Sequence, residues 1–251
     1  MIYNIHHLHC GSFCPVCSPL FGQKGWKAHL VCHCLLVETD LGLVLIDTGL
    51  GTQDYLHTQQ RLGSLLTKFG AIVPDIHLSA FHQIQQLGYR LDDVKHIFVS
   101  HLDFDHAGGI SDFPNATVHV LASEFNATQS LSLKGKNRYK TEQFKYHRYW
   151  NFAEQADGEA WFNLQKVKGL PLFQDEILMV PLIGHTLGHS AIAVKKQDGW
   201  ILFCGDAYFS HLELNPKNSL RALDLTERLL AEDNQQRLHN LKQLQYLAQH
   251  E

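Results

Sequence analysis

Apolar and polar positions fall in blocks along this chain, and several apolar blocks end the same way, in a short polar loop. "HLVCHCLLVETDLGLVLIDTG" reads as two strands, His29–Glu38 and Leu43–Ile46, around a turn at Asp40-Leu41-Gly42. Thr52 to Phe69 and Ser79 to Leu87 carry helical spacing, with Asp75 or Ser79 able to cap the second. Lys95–Val99 and Thr117–Leu121 are short β-rich runs, and a helix is expected from about Ser123. Further strands are expected at Ile177–Leu182, Ala191–Lys195 and Trp200–Phe203. From Leu220 onward the pattern is helical, with Leu238, Leu241, Leu244 and Leu247 along one face. Two stretches break the pattern. His6 to Gly25, with its Cys, Gly and Pro residues, is expected to be irregular, and Lys134 to Trp150 reads as an exposed insertion.

Polar loops at strand ends can bring residues distant in sequence to one site. The richest is "SHLDFDHAGG", Ser100 to Gly109, which follows the Lys95–Val99 strand. His101 and Asp103 alternate in an extended segment, so both side chains can face one side. Asp105 and His106 follow at the turn, and Gly108 and Gly109 permit backbone angles that a Cβ disfavours. Imidazole and carboxylate together suit zinc, iron, manganese or cobalt better than calcium. Matching groups stand in other loops: His185 and His189 in "GHTLGH", and Asp206 in "CGDAYF". His185 can complete a metal shell, and Asp206 has two oxygens with which to bridge two metals. Asp47, in "IDTG", suits an outer acceptor for a ligand imidazole N–H. His189 is either a ligand or a hydrogen-bonded loop histidine.

Composition narrows the classes. The chain has 251 residues, 45% hydrophobic and 18% charged, which is enough for an ordinary globular core. A formal charge of −4 supplies no basic field for a phosphate backbone, so nucleic acid is a poor partner. No basic leader and no membrane-length apolar run is visible, and a cytoplasmic enzyme fits best. Without a secretion signal, the six cysteines are expected to be reduced thiols. The 18 histidines point to metal chemistry or proton transfer. "HHLHCGSFCPVC" has spacings that suit a small zinc site or a redox pair, yet no second C-x-x-C pair follows downstream, which favours a packed loop. Tyr146, Tyr149, Trp150, Trp161 and Phe162 either wall a substrate pocket or pack as core.

At these residues the sequence resembles the metallo-β-lactamase superfamily. "HLDFDHAGG" looks like its H-x-H-x-D-H signature with one change, and "LIDTG", "GHTLGH" and "GDAYF" look like its other motifs in the expected order. The resemblance spans about Leu30 to Phe209. It implies an α/β fold, a four-layer αβ/βα sandwich of two mixed β-sheets flanked by helices, formed by residues 1–251 as a single domain; since "LQYLAQHE" is still in helical phase, the usual final strand is expected to be lacking. It also implies a dinuclear site with two divalent metal ions, zinc first and iron or manganese as alternatives. Carried over, His101 and His185 hold the first metal with Asp103 in place of the usual second histidine. Asp105 and His106 hold the second, and Asp206 bridges. "CHCLLVETDLGLVLIDTG" is most similar to the acyl-homoserine lactone lactonase branch, whose members hydrolyse lactones and esters.

Two departures matter. Asp103 is an anionic ligand where the signature has imidazole, which lowers the charge of the metal pair and shifts preference from zinc toward iron or manganese. On that basis alone, Asp103→His is expected to raise zinc affinity. The family also usually supplies a last histidine from beyond the terminal helix. His250 is the one histidine near that place, beside the leucine stripe, where a helical surface residue is the commoner outcome. The expected function is a metal-dependent hydrolase in which a metal-bound hydroxide cleaves a small-molecule lactone, ester or thioester. Asp105 would shuttle the proton and Tyr208 would donate a hydrogen bond to the substrate. The alternatives are a phosphodiesterase of the same superfamily, a di-iron redox protein and a non-catalytic remnant of the metal site.

Overall fold

A computed structural model describes residues 1–129, 135, 138–154, 159–166 and 173–250. The chain divides into two compact units. The first comprises Met1–Pro15, His29–Val120 and Phe125–Phe152. It is built on a six-stranded sheet in the order β1 (Ile2–Phe13), β2 (Leu30–Thr39), β3 (Gly42–Ile46), β4 (Val94–Phe98), β5 (Thr117–Leu121) and β6 (Trp150–Ala153). β1, β2 and β3 pair antiparallel, whereas β3–β4 and β4–β5 pair parallel. The parallel strands are continuous apolar runs, Val44–Ile46 and Ile97–Phe98, buried on both faces as such strands must be.

β1 corrects the expectation of an irregular start. Ile5, His7 and His9 stand opposite Val37, Leu35 and His33, and Leu8 and Cys10 are buried in the core. Histidines between the inward residues hid the alternation, and pairing with β2, not local propensity, makes this strand. One extra residue between His9 and Ser12 forms a bulge at Cys10-Gly11, where Gly11 has φ +140°. The expected long helix from Thr52 is three short ones, Thr52–Leu56, Thr58–Leu62 and Ser64–Phe69, interrupted at His57 and at Gly63, whose φ is +86°. Ser79 caps the helix Ala80–Gln86 by accepting from the His82 N–H, and Asp75 caps the short turn before it. The expected exposed insertion is corrected too. Residues 134, 136 and 137 lie outside the described residues, but Tyr139, Gln143 and Phe144 are buried. The Lys, Arg and Tyr residues around them masked three inward positions.

The second unit comprises Val16–Ala28, Leu121–Glu124 and Ala153–Glu251. It holds an antiparallel sheet of β9 (Ile177–Pro181), β10 (Ser190–Lys196) and β11 (Gly199–Phe203), with β10 central, and a hairpin of β7 (Glu159–Trp161) and β8 (Leu164–Lys166). The C-terminal helical pattern is two helices, Arg221–Leu230 and Asn234–His250, broken at Ala231 to Asp233. Leu241 and Leu244 are buried and Leu247 packs against the core, while Leu238 stays exposed. The break has a purpose: the Glu232 and Asp233 N–H groups both donate to the Gly184 carbonyl at 2.9 Å. A Cβ on Gly184 would lie 2.4 Å from the Arg237 nitrogen, so only glycine lets this helix reach the loop that carries His185.

Candidate metal centre

In the first unit the site starts where β3 ends. Asp47 takes φ +53° and turns its carboxylate onto the segment after β4. Its Oδ1 accepts the Ser100 N–H at 2.6 Å, and its Oδ2 lies 2.7 Å from Ser100 Oγ and 2.6 Å from His106 Nδ1. The carboxylate therefore fixes Nδ1 as the protonated nitrogen of His106 and leaves the lone pair on Nε2. Ser100 Oγ has one proton, which goes to Asp47. At 3.0 Å it must then accept from His101 Nδ1, so His101 also carries its lone pair on Nε2. The Asp47 expectation is met in this geometry: the carboxylate stands behind an imidazole and orients it.

His101 is fully buried, and its Nε2 lies 3.4 Å from Asp103 Oδ2. A lone pair facing a carboxylate at that distance is repulsive without a cation. Zinc ligands with bonds of about 2.0 Å in a tetrahedron lie about 3.3 Å apart, so these donors fit a divalent ion. The His101 and His106 rings are adjacent, with centroids 4.1 Å apart. Asp105 sits, partly buried, in the first turn of the short helix Phe104–Ala107. Asp103 Oδ2 also accepts from Arg138 Nη1 at 2.8 Å.

The turn is held by its neighbours. Thr48 donates to the His106 carbonyl through both N and Oγ1, at 2.9 and 2.8 Å. Gly108 has ordinary helical angles, so the earlier reason for its smallness is replaced by another. Its Cβ would lie 2.3 Å from Asp54 Oδ2, and one on Gly51 would lie 2.2 Å from the Gly108 carbonyl. The two loops touch backbone to backbone. Asp54, buried beneath them, accepts from Arg61 Nε at 2.7 Å, Gln143 Nε2 at 2.9 Å and the Gly51 N–H at 3.0 Å. Burial pushes its carboxyl above the usual range, with Arg61 opposing.

The second unit holds the remaining candidates. His185, 3% exposed, has Nε2 3.4 Å from Asp206 Oδ2, the same donor spacing as His101 and Asp103. His189 is different. Its Nδ1 donates to the Leu182 carbonyl at 3.1 Å and its Nε2 accepts the Asp206 N–H at 3.0 Å. With both nitrogens engaged, it is the hydrogen-bonded loop histidine, and it fixes the backbone of Asp206. Buried Glu124, which sequence reasoning missed, accepts the Gly188 N–H at 3.0 Å and shapes the same loop. Tyr208 packs partly buried beside Cys204, whose thiol burial pushes up to about 11. The Phe209 N–H donates to Glu213 Oε1 at 3.0 Å and to Glu227 Oε1 at 3.2 Å, which anchors the loop from behind.

The remaining candidates make other contacts or stay exposed. His250 is exposed, with Nδ1 2.8 Å from the Tyr246 carbonyl and its ring stacked on Tyr246 at 4.0 Å. None of the six cysteines is in a disulfide, and among the described residues no group of three or more metal-binding side chains includes one of them. His7 Nδ1 lies 2.9 Å from His33 Nε2, a pair on the exposed face of β1 and β2. Tyr146 and Tyr149 are exposed, Trp150 packs on Phe125, and Trp161 packs on Trp200. Arg138, Ser100 and Asp54 carried no recognisable sequence signal except that Ser100 precedes His101. Among the described residues no helix is long and apolar enough to cross a membrane.

Comparison with known proteins identifies the family. The profile described as "Metallo-beta-lactamase superfamily" matches residues 29–247. A probable metallo-hydrolase of Mycobacterium tuberculosis is 41% identical over 210 residues, covering 82% of this chain and 63% of that protein. The chain thus spans just under two thirds of that relative's length. An N-acyl homoserine lactonase of Bacillus thuringiensis is 28% identical over 189 residues, 74% of this chain and 67% of that one. Among solved structures, an N-acyl homoserine lactone hydrolase with the product N-hexanoyl-L-homoserine bound at its catalytic metal centre superposes with a TM-score of 0.73 at 21% identity, covering 99% of this chain and 90% of that one.

Proposed function

The chain belongs to the metallo-β-lactamase superfamily and has its fold, and from that membership we propose that it is a metal-dependent hydrolase of a small-molecule lactone, ester or thioester. The observation that carries the proposal is the pair of imidazoles on the β4 loop. His106 is held by Asp47 at 2.6 Å and His101 by Ser100 at 3.0 Å, each presenting Nε2. The lactonase relatives support the substrate class.

On the order of the motifs, His101, Asp103 and His185 are the proposed ligands of one divalent ion, Asp105 and His106 of a second, with Asp206 shared. When bound, the ions supply Lewis acidity that brings the pKa of water toward neutrality and polarises a carbonyl. The protein does the rest. Asp47 and Ser100 keep the two rings in one tautomer, His189 fixes the Asp206 backbone, and burial keeps bulk water from competing. Asp105 is the proposed carrier of a proton to the leaving oxygen, and Tyr208 the proposed hydrogen-bond donor to the substrate. A dizinc lactonase among the structural neighbours supports zinc, with iron or manganese as alternatives.

Elemental analysis of protein purified without added metal, alongside hydrolysis of lactone, ester and thioester panels, tests the reading. Two equivalents per chain with turnover of one panel is the expected result. Under one equivalent with no turnover on any panel would overturn it.

A further inference from the structure

We infer that Arg138 is the fixed counter-ion of Asp103, so that the two residues together present a metal with the charge of the one neutral histidine found in the H-x-H-x-D-H signature. The inference deepens the metal-hydrolase reading and rests on it.

Arg138 Nη1 stands 2.8 Å from Asp103 Oδ2, with the side chains 7% and 13% exposed. The same oxygen lies 3.4 Å from His101 Nε2. At this burial solvent disperses little of either charge, and a carboxylate so placed needs a charged or hydrogen-bonding partner. Guanidinium stays protonated at any working pH, so the contact contributes a whole positive charge at all times. The other arginine of the region is committed elsewhere: Arg61 donates to Asp54 at 2.7 Å and to Ser111 at 3.2 Å.

Carboxylate in place of imidazole would, alone, make the centre more negative and its bound water less acidic. A guanidinium on that carboxylate cancels the added charge and draws electron density from the donor oxygen. The pair then approaches imidazole in charge and in donor strength. Arg138 is on this view a positioning residue acting through Asp103, and it reverses the outcome expected for Asp103→His. That single change leaves a buried guanidinium unpaired beside a divalent cation.

The test compares four full-length proteins: wild type, Asp103→His, Arg138→Gln and the double variant. Each is stripped with chelator, checked by circular dichroism, and titrated with zinc against a chromophoric competitor. Arg138→Gln is expected to tighten zinc binding by about tenfold or more, because it removes a nearby positive charge. Asp103→His is expected to weaken it by about tenfold or more, and the double variant to return to within a few-fold of wild type. A contact that only props up the fold would weaken both single variants. Should Asp103→His unfold, Arg138→Lys carries the test: it keeps the charge and is expected to bind like wild type, unlike Arg138→Gln. Arg138→Gln binding no more tightly than wild type, or a double variant no better than Asp103→His, overturns the counter-ion. Wild type that binds no zinc, iron or manganese sinks the hydrolase reading itself, a separate outcome.

Discussion

The loop after β4 and the loop after β9 each carry two histidines, and they hold them differently. On the first, each ring is tied at Nδ1 from behind, His106 by Asp47 and His101 by Ser100, and both Nε2 atoms keep a lone pair. On the second, His185 faces Asp206 at 3.4 Å, while His189 uses both nitrogens to join Leu182 to the Asp206 backbone. Counting histidines therefore overstates the proposed ligand set. A ligand is a ring with one nitrogen anchored and the other presented, and a ring with both anchored is scaffold.

The largest expected effect separates these two kinds of histidine. His101→Ala or His106→Ala should lose at least one metal equivalent and on the order of a thousandfold in hydrolysis, since a ligand and its charge stabilisation go together. His189→Ala should keep its metal equivalents at saturating zinc and lose about ten- to a hundredfold in affinity through a displaced Asp206. Elemental analysis on the three variants decides it. The contrast breaks if His189→Ala strips metal as completely as His101→Ala.

Asp47→Asn comes next. Three donors converge on this carboxylate: the Ser100 N–H, the Ser100 hydroxyl and His106 Nδ1–H. An amide offers one oxygen and turns an NH2 toward the others, so at least one donor is left facing a donor. Zinc affinity should fall about ten- to a hundredfold with the fold intact, as measured by chelator competition. Unchanged affinity would mean that Asp47 only braces the turn.

What the sequence reveals follows the same division. Asp47, His101, His185 and Asp206 are legible because each stands just past an apolar run, where a polar residue is conspicuous, and His106 because it closes the same dense His/Asp loop as His101. β1 is not legible, because His6, His7 and His9 interrupt its alternation and its partner lies some thirty positions on at β2. Arg138 is invisible for another reason. Its stretch carries lysines, arginines and tyrosines that look alike on paper, and only the fold selects the one that reaches Asp103. The signal for Asp103 was the gap it left in a motif, whereas its compensation sits 35 residues away.

The buried acid behind the β11 loop predicts a smaller, pH-dependent effect. Burial, and after it hydrogen bonding to Glu213, raises the Glu227 carboxyl from 4.5 to about 8, with Arg237 opposing at 2.8 Å and Asp224 sharing that guanidinium at 2.9 Å. The folded state thus holds a proton that the unfolded chain has released. The associated stability is full below about pH 4.5 and is lost as pH rises through about 8. Glu227→Gln imitates the protonated acid. Whatever constant penalty the amide carries against Arg237, the variant's Tm relative to wild type should improve from about pH 6 to about pH 9. A parallel pair of Tm–pH curves would remove the shared proton from the account.

The smallest effect belongs to His250, where resemblance and structure give different expectations. A final metal-binding histidine is usual in the superfamily, and this is the one nearest that place. Its Nδ1, however, meets the Tyr246 carbonyl one turn back, and its ring lies flat on the Tyr246 ring at 17° between planes. The ring is held by its own helix, at Nδ1 and across its face. His250→Ala should leave zinc stoichiometry and Tm within measurement error, since exposed substitutions away from special contacts change stability little. Loss of one metal equivalent in that variant would show that the rule of one nitrogen anchored and one presented misses a ligand.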